Sequence, residues 1–339
     1  MNKYVKFTKT EKQSHLKYKL YEAKLLKIPG ALGVLDEIAE KVFYLKKDKK
    51  IRGIVSIFLG DSGVQVEGVS NISLKVEHNV FREIATNNAP INMICGHNVP
   101  VNVFDVGTCM KEVPKGIYNY RINKGTRNIC YEHAMTEREM KECLQTGKII
   151  AKKYKDPNFF NILMLGEMGI GNTTIISIIC CLILKLSPAD ICDIGSGINR
   201  DQFNKKYQII KKSVKTFSRQ YGDVNKSNIF QLLCMFGCYE IIAEIGFILE
   251  AKRNGDLVII DGAITATAAL VASIIDDEIE NNIIFSHMSG EKAGQEILKY
   301  FKRKAILDLS MRMGEGTGAA LCYNIIKPVL EIYFKEDYL

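Results

Sequence analysis

Apolar positions along this chain fall into two kinds of pattern. Residues 54–59, 101–107, 162–165, 257–260 and 283–285 are short, mostly β-branched runs, and most open into Gly, Asp or Ser. Runs of that length and composition predict strands of a parallel sheet covered on both faces. Between them lie longer segments. Leu32, Leu35, Ile38, Ala39 and Val42 recur at helical spacing, and residues 137–148 form a charged helical stretch. Residues 175–186 are mostly apolar and long enough for a buried helix. The segment 209–247 is amphipathic and then mostly apolar, which predicts one long core helix. Near the start, Leu25, Leu26 and Ile28 lead to a stop at Pro29-Gly30, so the first forty-odd residues predict helices and a turn. Strand–helix alternation with loops at strand ends predicts an α/β fold around a mostly parallel sheet.

Composition narrows the class without deciding it. The 339 residues are 47% hydrophobic and 25% charged, enough for a large core and compatible with two domains or one with an appendage. The formal net charge is +8. Its lysine-rich patches, 46–50, 205–215 and 299–304, are interrupted by apolar residues or acids and predict solvated helix faces, not a nucleic-acid site. Ten cysteines show no paired CxxC spacing, Cys180-Cys181 lies in an apolar helix, and Cys234 and Cys238 fall on one helix face. With no hydrophobic signal segment in residues 1–12, the thiols predict a reduced, cytoplasmic protein. His15, His78, His97, His133 and His287 have no ligand spacing, which argues against zinc. No run is long and uninterrupted enough to predict a membrane span.

The candidate chemistry centres on Gly166-Glu167-Met168-Gly169-Ile170-Gly171-Asn172-Thr173-Thr174, between a predicted strand and a predicted helix. That arrangement lets backbone N–H groups and a helix dipole hold a phosphate, although a tight connection would look the same. The glycine spacing matches a nucleoside-triphosphate loop, but Asn172 stands where such a loop needs lysine. A single phosphate monoester suits it better. A second glycine loop, Gly195-Ser196-Gly197, follows. Near the carboxyl end, Met311-Arg312-Met313-Gly314-Glu315-Gly316-Thr317-Gly318 frames one carboxylate with glycines and methionines. Apolar surroundings raise a carboxyl pKa, and a base so poised accepts a proton from an azole at neutral pH. A glutamate in a first helical turn, favouring the dipole, is the alternative.

GEMGIGNTT (166–174) and MRMGEGTGA (311–319) resemble the central and carboxyl-terminal signatures of the nicotinate-nucleotide–dimethylbenzimidazole phosphoribosyltransferases, enzymes of cobalamin lower-ligand assembly. The likeness runs from Lys27 to about Pro328 and includes KIPGALG (27–33) and the Asp-Val-Gly ending at Gly107. It implies a Rossmann-like mostly parallel sheet with helices on both faces, at residues 46–300. It also implies a small helical domain from both chain ends, 1–45 with about 300–339, and a homodimer. Glu315 takes the family's general-base position, with Glu167 a second catalytic carboxylate steadying the ribosyl cation. Gly166, Gly169, Gly171, Asn172, Thr173, Gly195, Ser196, Gly197 and Ser289 are expected at the phosphate and nucleotide, and Arg127 either there or as an exposed structural arginine. Asp61, Ser70 and Met313 are expected at the base. Departures cluster at the base side: Ser62 replaces the family's histidine, and the proline and glutamine usual after Ser70 are absent.

Two smaller assignments stay open on the residues alone. Asp261 caps a helix or contacts the ribose, with capping ahead, and His287 fits a buried imidazole better than a base. The implied reaction moves phosphoribose from nicotinate mononucleotide to a benzimidazole-type base and needs no cofactor, because the pyridinium leaving group is already cationic. The substitutions at Ser62 and after Ser70 keep a non-catalytic, regulatory nucleotide-binding relative as the alternative. A phosphate-loop ATPase is disfavoured by Asn172.

Overall fold

The computed structural model describes residues 3–25, 27–195 and 197–334. Six strands form one sheet: β1 (Lys50–Gly60), β2 (Val101–Gly107), β3 (Ile117–Asn119), β4 (Phe159–Met168), β5 (Leu257–Ile260) and β6 (Ile283–Phe285). Their order is β3-β2-β1-β4-β5-β6 and every pairing is parallel. This is the doubly wound arrangement, in which the chain reverses its direction of winding between β1 and β4. The predicted strands are all present. β3 escaped the pattern because three residues, two of them exposed, carry no run.

The helices are α1 (Lys9–Gln13), α2 (His15–Glu22), α3 (Val34–Lys46), α4 (Leu74–Ala85), α5 (Pro90–Cys95), α6 (Glu137–Lys153) and α7 (Asn172–Leu184). They continue as α8 (Pro188–Ile191), α9 (Arg200–Tyr221), α10 (Ile229–Phe236), α11 (Tyr239–Asn254), α12 (Ala263–Ile275), α13 (Lys292–Phe301) and α14 (Thr317–Phe334). The single helix expected over 209–247 is three, α9 to α11. Gly222, at positive φ, ends α9 ahead of the mostly polar residues 223–228, and Gly237, extended, ends α10 inside the apolar run, so only the second break was hidden by the pattern. Cys234 and Cys238 consequently sit on different elements. All ten cysteines are free, eight of them buried; Cys109 is exposed and Cys130 half-buried, contrary to a uniformly buried set.

Side-chain alternation along the strands builds a core on each face. Ile54, Phe58, Leu163, Leu165, Val258 and Ile260 point to the face covered by α6, α7, α11 and α12. Val55, Ile57, Leu59, Ile162, Met164 and Ile259 point to the other, against α3 and α14. Both faces being dry, the strands read as continuous apolar runs instead of alternating ones. The two chain ends meet on the second face: Tyr333 Oη donates to Asp36 Oδ1 at 2.6 Å and to Glu22 Oε1 at 3.0 Å, and its ring stacks on Tyr18. Leu26, part of the predicted opening helix, lies outside the described residues. Among those described, no helix is long and apolar enough to cross a membrane.

Candidate active site

Ligands in a doubly wound sheet sit at the carboxyl ends of the strands flanking the reversal. Here these are β1 and β4, and two glycine loops leave them side by side. β4 continues to Met168, so Glu167 is a strand residue paired with Phe58. Gly171 then caps α7 at φ 99°, and a Cβ there would stand 2.8 Å from Val64 in the β1 loop. Only glycine permits that approach.

The carboxyl-terminal signature docks onto the same strand. A Cβ on Gly166 would collide with the backbone nitrogen of Gly316, so the two glycine motifs touch through bare backbone. Glu315 N donates to Glu167 O at 3.2 Å, fixing the loop against β4. Glu315 itself has φ 66°, a conformation that costs an L-residue of order 1–3 kcal/mol and concentrates at functional sites. It sits two residues before α14, not in its first turn. Its side chain is buried, Oε2 has no hydrogen-bond partner among the described residues, and burial raises its pKa from 4.5 to about 7.

Beside these carboxylates opens a cavity of about 180 Å³, walled by Glu167, Thr173, Gly195, Ser289, Arg312 and Met313 among others. The lysine behind two of these wall residues was not legible in the motifs. Lys206, fully buried on α9, donates from Nζ to Thr173 Oγ1 and to Asp193 O, both at 2.9 Å. A Cβ on Gly195 would lie 3.3 Å from that ammonium. Burial lowers the Lys206 pKa, and a nearby anion would favour its charged form. The clue was positional: Lys206 shares the buried stripe of α9 with Ile210, Ser213 and Phe217. Arg312, also on the cavity wall, is exposed and has no ion-pair partner among the described residues.

Asp261 and His287 line the same cavity. Asp261 does cap a helix, but a distant one: Oδ1 accepts from Ala319 N of α14 at 2.9 Å. Burial raises it to about 7 even though the N–H groups of Ala319, Gly316 and Gly318 favour its charge. His287 is buried, Nδ1 lies 3.0 Å from Ser286 Oγ, and burial lowers its pKa, which keeps the ring neutral.

Other predicted residues are placed differently. Asn172 turns inward, its amide donating to Glu167 Oε2 and its backbone N–H to Gly169 O, so neither group faces the cavity. Arg127 is engaged with Glu139 at 2.9 and 3.2 Å, away from the cavity wall. Asp61 is buried under the β1 loop, accepting from Cys109 N at 2.6 Å and held by His78 at 2.9 Å. Ser70 Oγ accepts from Ile72 N at 3.1 Å, and the adjoining Asn71 donates to Gly197 O at 2.6 Å. The β1 loop therefore reaches the second glycine loop across the crevice. Ser196 lies outside the described residues. A larger cavity, about 380 Å³, opens between the 129–133 loop and α9, but it contains none of the motif glycines or carboxylates.

A family model described as Phosphoribosyltransferase matches residues 8–336. The nicotinate-nucleotide–dimethylbenzimidazole phosphoribosyltransferase of Shewanella oneidensis is 32% identical over 315 residues, 91% of this chain and 87% of its own. That of Vibrio parahaemolyticus is 32% identical over 329 residues, 90% of this chain and 91% of its own. The crystal structure of CobT from Thermus thermophilus superposes with a TM-score of 0.85 at 27% identity, covering 96% of this chain and 98% of that one.

Proposed function

Because this chain belongs to the nicotinate-nucleotide–dimethylbenzimidazole phosphoribosyltransferase family, we propose that it moves phosphoribose from nicotinate mononucleotide to a benzimidazole-type base. The products are an α-ribazole 5′-phosphate and nicotinate. One observation carries the reading: Glu315, strained and buried with a free oxygen, is held against Glu167 beside a cavity with a buried cation.

The donor's phosphate sits at Thr173, Gly195 and Ser289, over Lys206 and near the N-terminus of α7. The ribose then lies across Glu167, whose carboxylate faces the cationic character that develops at C1′. The azole N–H of the acceptor points to Glu315. As Glu315 takes that proton, the other azole nitrogen attacks C1′. The C1′–N bond to the pyridinium breaks, and its electron pair leaves with nicotinate. Arg312 is the free cation placed to meet the nicotinate carboxylate. Most of the acceleration comes from orientation and general-base catalysis.

In the same reading Ser70, Asp61 and Met313 shape the base side, and Gly166, Gly169, Gly171, Asn172 and Gly197 serve by packing the loops. The terminal helices and α14 make up the small helical domain, and the working form is a cytoplasmic homodimer acting on small molecules. Incubation with nicotinate mononucleotide and dimethylbenzimidazole, with the product's anomeric configuration read by NMR, tests the reaction. An α-riboside phosphate is expected. A β-riboside, or hydrolysis to ribose 5-phosphate alone, would contradict it.

A further inference from the structure

Glu240 opens α11 and belongs to no motif. It is fully buried, yet neither carboxyl oxygen has a hydrogen-bond partner among the described residues. Both loops of the crevice close upon it: a Cβ on Gly60 or on Gly169 would land on a Glu240 oxygen. The same Cβ on Gly169 would stand 2.8 Å from Asn172 Nδ2, the atom that donates to Glu167. One side-chain amide therefore lies between two buried carboxyl groups. Its NH₂ donates to Glu167, and Glu240 stands on its other side.

The groups facing Glu240 are Asp61 from the β1 loop, Glu77 from α4, Glu167 from β4, Cys143 from α6, and Cys238 and Glu244 on its own segment. All are acids or thiols, and the nearby His78 is held by Asp61. Carboxyls this close and this dry do not all ionise together. Glu167 accepts from Asn172 and borders the cavity, where a cationic ligand favours its charge, whereas Glu240 is fully buried away from it. Burial raises both groups, and the charge of Glu240 is the next cause raising Glu167. A proton on Glu240 removes that cause.

We propose that Glu240 is a positioning residue that holds the proton of the Glu167–Asn172–Glu240 group, so that Glu167 meets the ribose as an anion. This rests on the phosphoribosyl-transfer reading, in which Glu167 faces C1′. Glu240→Gln imitates the neutral acid, while Glu240→Met keeps the bulk and removes the polar contact with Asn172. The Gln variant is expected to keep kcat within about threefold of the parent. The Met variant should lose kcat roughly 10–100-fold, with KM for nicotinate mononucleotide unchanged, as expected from disturbing one buried polar contact. In infrared difference spectra at neutral pH, Glu240→Gln should remove a protonated-carboxyl stretch that the parent shows. That band is read without turnover, so an inactive parent would overturn the transfer reading separately. A folded but inactive Gln variant, a Met variant as active as the parent, or an unchanged protonated-carboxyl band would each overturn the assignment. If the Met variant does not fold, the Gln kinetics and the infrared band decide it.

Discussion

Replacing Glu315 by Gln keeps the shape of the side chain and removes its ability to accept a proton. Burial places the parent carboxyl near pKa 7, so about one molecule in ten is ionised at pH 6 and about nine in ten at pH 8. Turnover by the parent should therefore climb about tenfold between those values, whereas a base left at 4.5 would give a nearly flat profile there. Glu315→Gln should lower kcat roughly 10²–10⁴-fold, the usual cost of losing a general base. Its residual activity should have no such limb. Asp261, also near 7 and lining the adjacent cavity, is the internal control. If its titration governed the rate, the limb would survive in the variant. Steady-state kinetics across pH 5.5–9 (about half a unit per point), with calorimetry of mononucleotide binding at pH 7, make the measurement. A flat parent profile, a persistent limb, or activity within a few-fold of the parent would refute the role of Glu315.

Lys206→Met should weaken nicotinate mononucleotide roughly 10–100-fold, the worth of a charge-assisted contact, while leaving nicotinate riboside unaffected. Equal losses for both ligands in calorimetry would remove Lys206 from the phosphate. Gly166→Ala forces a methyl into the Gly316 backbone; kcat should fall with the displaced Glu315, and thermal unfolding should show about 1–3 kcal/mol of destabilisation. An unaltered variant would mean the two motifs do not need their bare contact. The folded state raises Glu315 and Asp261, so their contribution to stability is complete below pH ~4 and is lost as pH rises through about 7. The parent should melt lower at pH 8 than at pH 5, and Glu315→Gln should narrow that difference; an unchanged difference would place Glu315 in water. Unsubstituted and singly substituted benzimidazoles should be used within roughly 10–200-fold of dimethylbenzimidazole, since methyl contacts discriminate weakly. Strict use of one base in paired competition would reveal polar recognition on the β1 side.

What the sequence disclosed depended on whether the physics was local. Strands buried on both faces appear as unbroken apolar runs, so β1, β2, β4, β5 and β6 were legible, while β3 was too short to leave a pattern. The break between α10 and α11 was hidden because apolar residues continue through the turn at Gly237, whereas the break after α9 is marked by Gly222 and the mostly polar residues 223–228. Glu167 and Glu315 announced themselves through flanking glycines. The reason for those glycines, Gly166 lying on Gly316, is a contact between residues 150 positions apart and has no sequence signature. Asp261 reads as the cap of its own helix but serves α14 instead. Asn172 occupies a phosphate-loop position yet holds a carboxylate. Lys206 looked like one of many solvated lysines until the register of α9 turned it inward.

The most direct test of the transfer itself is stoichiometry. The full-length protein is incubated with nicotinate mononucleotide and dimethylbenzimidazole without added metal, and the mixture is resolved by liquid chromatography with mass detection. Nicotinate and a dimethylbenzimidazole riboside monophosphate should appear in equal amounts, with the phosphate retained and neither product formed when either substrate is omitted. A folded protein that binds the mononucleotide yet releases no nicotinate, or releases it without the riboside phosphate, would contradict the assignment.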